Sequence, residues 1–270
     1  MDVAPADPLV LVLLAVMGVI AGAVNTVAGA GSLLLLPALV FSGLPDDAAN
    51  ATNRVGILAQ TAMAVWGYRR AGLRVGKPEA ALSGVVMAGG VVGSFVATLL
   101  SARSMRIAIL VAMGTMLVLS LVPPRRPPAR AASPETPGDA APAAPARRPV
   151  PVTPLVVVGL ALVGVYGGFL QAGVGILVLL FLTHSTRTDL LTANVLKSTA
   201  TLGLTVVALV IFGLAGETID PARGLALAAG SGVGGAVGAR ATVALGERFV
   251  RIAVALAVSA AMARLVWDLV

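Results

Sequence analysis

The sequence contains no cysteine and a single histidine, His184. Disulfides, thiolate metal sites and a cysteine nucleophile are excluded, and metal chemistry has almost no ligands to use, so neither a metal nor a cofactor is expected. Charge is scarce as well. Charged residues make up 11% of the 270 residues, against about 25% in soluble domains. No Asp or Glu falls deep within an apolar run; all twelve sit near a run's end or in a connecting stretch. An acidic Na⁺ or H⁺ site within the apolar part is therefore not apparent.

What remains is apolar. Hydrophobic residues reach 58%, and windows near 9–28, 50–68, 80–100, 105–122, 154–172, 190–213, 222–245 and 249–268 are each about long enough to cross roughly 30 Å of hydrocarbon. Two further runs, 32–44 and 174–183, are too short to cross alone. Backbone groups in lipid must pair internally, so these runs predict helices. The net charge of +7 comes from Lys and Arg at the ends of apolar runs and in one linker. That distribution reads as topology determinants instead of a nucleic-acid face. The first 28 residues carry no Lys or Arg, so they read as a retained helix and not as a cleaved signal.

The chain repeats itself. Setting Gly29 on Gly173 brings Gly31 onto Gly175, Leu33 onto Leu177 and Ala49-Asn50 onto Ala193-Asn194 without a gap, a spacing of 144. A second match, Gly93 on Gly238 with Arg106-Ile107-Ala108 on Arg251-Ile252-Ala253, extends the duplication through each half at a spacing of 145. The fold expected is an all-α integral membrane protein of two homologous halves, 1–122 and 153–270. Each half has about four spanning helices plus a short half-helix, and residues 123–152 form a disordered Pro/Ala linker. Inverted halves place eleven Lys/Arg inside and three outside, parallel halves ten and four, so the positive-inside rule leans toward inverted repeats. Inversion needs an odd number of crossings, which predicts that each short segment completes a crossing with its unwound neighbour.

Both halves break at corresponding places. The first helix is expected to give out at Asn25, where Asn-Thr and then Gly29 and Gly31 disfavour it. A short helix should start with Ser32 at its N-cap. The second half fails near Gln171 to Gly173. Paired broken segments of this kind point to a binding site in mid-membrane in secondary transporters. On the helices that follow, Asn50, Asn53 and Arg54 share one face, as do Asn194, Lys197 and Ser198. Arg54 and Lys197 fall at adjacent repeat positions, and a cation in the bilayer usually faces a cavity or a counter-charge. With carboxylates absent there, a substrate anion is the expected partner. The N-termini of the short helices, near Ser32 and Gly175, would add N–H groups and positive dipole ends. The candidate donors are Asn25, Thr26, Gly31, Ser32, Asn50, Asn53, Gln171, Gly175, Asn194 and Ser198, around the two cations. Snorkelling of Arg54 and Lys197 to the interface is the competing reading. Arg240 is expected at the surface with Arg248 and Arg251, His184 in an exposed turn, and Trp66, Tyr68 and Trp267 as interface anchors.

The run Gly18 to Pro37, the A-N-A-T-N-R at 49–54, and the weaker second copy at 173–176 and 193–198 resemble the TauE/SafE sulfite exporter family. The resemblance covers nearly the whole chain outside the linker. It implies an inner-membrane, multi-pass transporter for sulfite, organosulfonates or related sulfur-containing anions. It also implies that Asn25, Thr26, Gly29, Gly31, Ser32, Asn50, Thr52 and Asn53, with Gly173 in the second copy, lie at the substrate path. The chain departs from the family in its long linker, and in Gly31-Ser32, where members often carry one more glycine before the serine. The resulting expectation is export of a small anion by alternating access around a midplane site. The lipid bilayer and the anion are its partners, nucleic acid is not, and a homodimer is left open. The alternatives are an exchanger or importer of another small organic anion and a non-transporting membrane scaffold. An intramembrane hydrolase using Ser231 and His184 has no oxyanion motif or orienting acid behind it, so no enzyme is expected.

Overall fold

The structure is a computed structural model that describes residues 6–120 and 149–241. The span expected at 249–268, most of the linker, Arg248, Arg251 and Trp267 lie outside the described residues. Those described form nine α-helices and no strand: α1 Pro8–Ala28, α2 Ser32–Phe41, α3 Asp46–Arg70, α4 Lys77–Thr98, α5 Ala102–Ser120, α6 Pro154–Phe169, α7 Val174–Ser185, α8 Leu190–Ala215 and α9 Pro221–Ala241. The order α1 to α4 recurs as α6 to α9 at the register read from the sequence. The left-handed backbone positions recur with it: Gly29 and Gly173 at φ 77° and 74°, Gly43 and Arg187 at 93° and 53°, Gly72 and Gly216 at 75° and 74°.

Among the described residues α1, α4 and α8 are long and apolar enough to cross a membrane. Large apolar side chains point outward from them, including Leu13 and Val16 of α1, Val92 and Phe95 of α4, and Val210 and Leu214 of α8. Such outward faces suit hydrocarbon, where a soluble helix would carry polar groups. α3 has 25 residues but buries Asn50, Thr52, Asn53, Arg54, Gln60 and Thr61, so its apolar character is low while its length is ample.

The halves interlock. α9 packs on α1 and α3, and α4 packs on α6 and α8, so each half's fourth helix lies against the other half. Small residues allow this approach: a Cβ at Gly22 would lie 2.6 Å from the Ser231 carbonyl oxygen, and one at Gly168 2.2 Å from that of Gly90. Contacts rise together along α1 and α9, Ala15 beside Gly230 and Ala23 beside Gly238, so these two helices run the same way. α3 and α8 run oppositely. The Asp220 N–H, just past α8, donates to Thr52 Oγ1 near the start of α3 at 3.0 Å, whereas Tyr68 near the end of α3 packs with Val195 near the start of α8.

The short helices turn back. Gly31 lies against Ala21 and Asn25 of α1, and α2 ends with the Ser42 carbonyl accepting from Arg223, in the first turn of α9, at 3.1 Å. In the other half Val174 touches Gly167 and Phe181 touches Gly159, so α7 runs back along α6. Each short segment thus folds back along its neighbour as a hairpin, where the sequence reading had it run on from an unwound stretch. The cause is the αL glycine, which reverses the chain where an unwound but straight connection was expected.

Two smaller expectations change, at Tyr68 and His184, while Arg240 lies at the surface as expected. Tyr68 is 2% exposed and sits in the core with Ala64 and Ala239, so it is no interface anchor, while Trp66 is exposed with Arg70 over its ring at 4.5 Å. His184 lies in the last turn of α7, partly buried, 3.0 Å from the Leu180 carbonyl oxygen.

Candidate functional site

The two chain breaks meet. A Cβ on Gly29 would lie 2.3 Å from the Gly175 backbone carbon, and one on Gly175 2.5 Å from Gly29 Cα. Only glycine permits this approach at those two places. The Gly173 N–H donates to Ser32 Oγ at 2.9 Å, tying one break to the other. α1 runs one turn past Asn25 to Ala28, so Asn25 and Thr26 lie in its last turn and not in an unwound strand. Their side chains explain the extension. Asn25 Nδ2 donates to Gln60 Oε1 at 2.7 Å, which takes its amide off its own backbone, and Thr26 Oγ1 donates back to the Gly22 carbonyl at 2.9 Å while accepting from Gln60 Nε2 at 3.2 Å. Gly31, and not Ser32, is the N-cap of α2; the serine hydroxyl serves the other half instead.

Each cation is buried and reaches the broken helix of the other half. Lys197 of α8, 3% exposed, donates from Nζ to the carbonyls of Asn25 and Thr26, both at 2.9 Å, and to Asn194 Oδ1 at 2.6 Å. Arg54 of α3, fully buried, donates from Nη1 to the Gly167 carbonyl at 3.2 Å and Gln171 Oε1 at 2.7 Å. Its Nη2 donates to Gly168 at 2.6 Å and Phe169 at 3.2 Å. These carbonyls lie in the last turns of α1 and α6, at the negative end of each helix dipole, and that of Asn25 accepts the Gly29 N–H at 2.9 Å as well. Neither cation snorkels. The expectation had set them beside the positive N-termini of the short helices. A break leaves a carbonyl end as well as an N–H end, and the buried cations go to the former.

Further groups finish the second break. Asn50 Nδ2 donates to the Phe169 carbonyl at 3.1 Å, and Ser94 Oγ to that of Gly168 at 3.1 Å. Gln171 adopts φ 61°, uncommon for a residue with a side chain. Its amide oxygen takes Arg54 and its Nε2 donates to Thr205 Oγ1, which accounts for the conformation being held.

Between the breaks lies a polar cavity of about 10 Å³, room for about one water. Asn25, Ser32, Gln171, Gly175, Lys197 and Ser198, all marked by sequence, line it. Ser198 Oγ and Asn25 Oδ1 are buried there without hydrogen-bond partners. Gln60, Thr61 and Thr201 also line it. Gln60 was missed, although a polar amide in the middle of the apolar window 50–68 is a signal of the kind used for Arg54. Thr26, Gly29, Gly31, Asn50, Arg54, Gly173 and Asn194 stand behind this wall as supports. Asn53, at the repeat position of Lys197, is wholly buried with neither amide atom bonded. Thr52 is turned elsewhere: it holds the start of α9, since residue 52 is off the face shared by 50, 53 and 54.

Two carboxylate pairs mark the end of the bundle where α3, α5 and α9 begin, Arg106–Asp46 at 2.7 Å and Arg223–Asp220 at 2.5 Å. Ser231 is buried with Oγ unpartnered against Gly56 and α1.

A family model described as Sulfite exporter TauE/SafE matches residues 14–265. No curated protein and no solved structure gives a significant match.

Proposed function

The chain belongs to the TauE/SafE sulfite exporter family, and from that premise we propose that it is a multi-pass secondary transporter of the inner membrane. It exports sulfite, an organosulfonate or a related small sulfur-containing anion by alternating access around the central cavity. Family membership and the apolar helices carry the coarser statement, a membrane-embedded transporter of sulfite or related anions. The finer reading rests on one observation: a buried lysine, next to hydroxyl and amide groups with unused bonding capacity, lines a polar cavity where two helix breaks touch.

The two cations have different tasks in this reading. Lys197 faces the cavity and binds the anion. The hydrogen bonds of Arg54 Nη1 and Nη2 all go to neutral groups of the α6 end and Gln171, so Arg54 positions that wall. An anion gains Lys197 by displacing the Asn25 and Thr26 carbonyls, with Ser198 and Gln60 as further donors. The cavity holds about one water, several times less than a four-heavy-atom oxyanion needs, so loading separates the end of α1 from α8. That coupling of binding to hairpin movement is the proposed origin of alternating access. A negative interior favours outward movement of an anion by about 2.3 kcal/mol per charge per 100 mV, so export needs no coupled ion.

Inverted halves are part of the proposal. The opposed directions of the equivalent helices α3 and α8 support them, as does the hairpin form of α1–α2 and α6–α7, which leaves α3, α4 and α5 as the three crossings of the first half. The end bearing Arg69, Arg70, Arg74, Lys77 and Arg240 is then cytoplasmic.

Sulfite efflux from proteoliposomes tests the reading. Lys197→Gln is expected to slow efflux at least about tenfold, the scale of one lost charged hydrogen bond, with the purified protein still folded. Unchanged efflux removes Lys197 from the site. Absence of any oxyanion transport by the wild type leaves the scaffold reading in its place.

A further inference from the structure

α3 and α9 end together, at the end of the bundle where α4 and α8 begin. Gly232 lies against Met63 and Gly67 against Ala239, so the two helices run parallel and side by side. Ala62, Trp66 and Arg70 of α3 and Val233, Val237 and Arg240 of α9 are all exposed. Residues three or four apart share a helix face, so each trio is one stripe, apolar along its length and cationic at its end. Trp66 and Arg70 flank the seam residue Gly67, and Arg240 follows its contact Ala239, which brings both cations to the same level of the seam. Arg70 Cζ stands 4.5 Å over the Trp66 ring. That stacking holds the guanidinium by its face and leaves the edge, which forks onto a phosphate, without a hydrogen-bond partner among the described residues.

Charge at this end is one-sided. Arg69, Arg70, Lys77, Arg187 and Arg240 are exposed there, and among the described residues none of them forms an ion pair. The carboxylates of the same end among the described residues, Glu79 and Asp189, are taken by the backbone N–H groups of Val150 and Thr192, each at 2.8 Å. Exposed cations at the end of an outward apolar stripe, with a tryptophan at the boundary, match one occupant on every count: a lipid whose headgroup carries net negative charge.

We infer that the α3–α9 seam binds an anionic phospholipid of the phosphatidylglycerol type. Arg70 and Arg240 take the phosphate, Trp66 packs at the level of the glycerol, and an acyl chain lies along Ala62, Val233 and Val237. α3 and α9 come from different halves of the chain, so a lipid held here bridges the halves at their outer surface. The inference concerns the bilayer as a partner and is independent of which anion is carried.

Trp66 is its own reporter. The chain has two tryptophans, and Trp267→Phe leaves Trp66 as the sole emitter in the full chain reconstituted in phosphatidylcholine. Quenching by phosphatidylglycerol with dibrominated chains is compared with quenching by dibrominated phosphatidylcholine, which gives the relative affinity of the two lipids beside Trp66. Phosphatidylglycerol is expected to be favoured about fivefold or more, and the preference to fall to near one when Arg70→Gln and Arg240→Gln are combined. Arg187→Gln is expected to leave it, since α8 meets α3 through buried Tyr68 and not through the exposed stripe. Equal quenching by the two lipids, or a preference that the double variant keeps, overturns the site. An equal loss in Arg187→Gln overturns it as well, because the charge then acts diffusely. Loss of the preference on adding soluble glycerol phosphate would assign the arginines to a free phosphate ester and overturn the lipid. Should Trp267→Phe fail to fold, the difference in quenching between the wild type and Trp66→Phe supplies the same signal.

Discussion

Single residues divide here into those that touch the cavity and those that hold its walls, and substitutions should separate the two. Arg54→Lys keeps the charge but loses the fork that spans Gly167, Gly168, Phe169 and Gln171. It is expected to cost about 1–3 kcal/mol, seen as a lower melting temperature in detergent, with KM for sulfite unchanged in the folded fraction. Lys197→Arg should do the reverse, raising KM several-fold through a bulkier head in the cavity, with little change in melting. Equal effects on KM from both would mean the two cations share the anion. A third residue reports on the opposite end of the bundle. Burial first, and the nearby Asp47 carboxylate second, raise the pKa of half-buried Glu217 in the α8–α9 loop above its ordinary 4.5. A raised carboxylate pKa means folding favours the protonated form, so this stability is present below the ordinary value and is lost as pH rises through the folded one. Glu217→Gln should therefore melt higher than wild type at neutral pH and match it in acid. A lower melting temperature at neutral pH would show that the carboxylate is instead bonded favourably. At this scale the sequence was informative about Arg54 and Lys197, because a cation in an apolar window is costly anywhere. It was silent on their partners, since backbone carbonyls leave no residue-type signature.

Elements were legible in order and register but not in direction. The 144-residue repeat foretold the helix order, and Asp220, directly before Pro221, caps α9 by taking the Arg223 N–H at 2.7 Å. The short helices were visible as apolar runs of half length. Their reversal was not, because a glycine pair signals a break without stating the angle of exit. Ser32 was misassigned for a related reason: a serine opening a helix reads as a cap, and the Gly173 N–H that draws its hydroxyl away lies 141 residues on. The touching breaks give a sharp contrast between glycines of the same backbone class. Gly29 and Gly72 have φ 77° and 75°, so alanine costs each about 1–2 kcal/mol in backbone strain. A Cβ at Gly72 meets open space, whereas one at Gly29 runs into Gly175 at 2.3 Å. Gly72→Ala is expected to yield folded protein with a slightly lower melting temperature, and Gly29→Ala to melt far lower or fail to fold. Similar melting of the two variants would mean that the breaks stand apart.

For the whole molecule, the decisive quantity is which way each half faces, and composition alone could only lean: eleven against three basic residues for inversion, ten against four for parallel halves. The added weight comes from contacts. α3 begins beside the end of α8, where Asp220 meets Thr52, and ends beside its start, where Tyr68 meets Val195. On the proposed reading, helices at equivalent repeat positions that run oppositely support halves of opposite orientation, and hairpins at α1–α2 and α6–α7 give the odd number of crossings that inversion requires. Arg74 and Glu217 occupy nearly equivalent loops, after α3 and after α8, so they should open to opposite sides of the membrane. In sealed right-side-out vesicles, a membrane-impermeant maleimide is expected to label Glu217→Cys at once, and Arg74→Cys only after the vesicles are opened by detergent. Labelling of both from one side would require parallel halves. The shared axis of α3 and α8 would then have to be abandoned, and with it the placement of Lys197 and Arg54 as reciprocal partners of the two breaks.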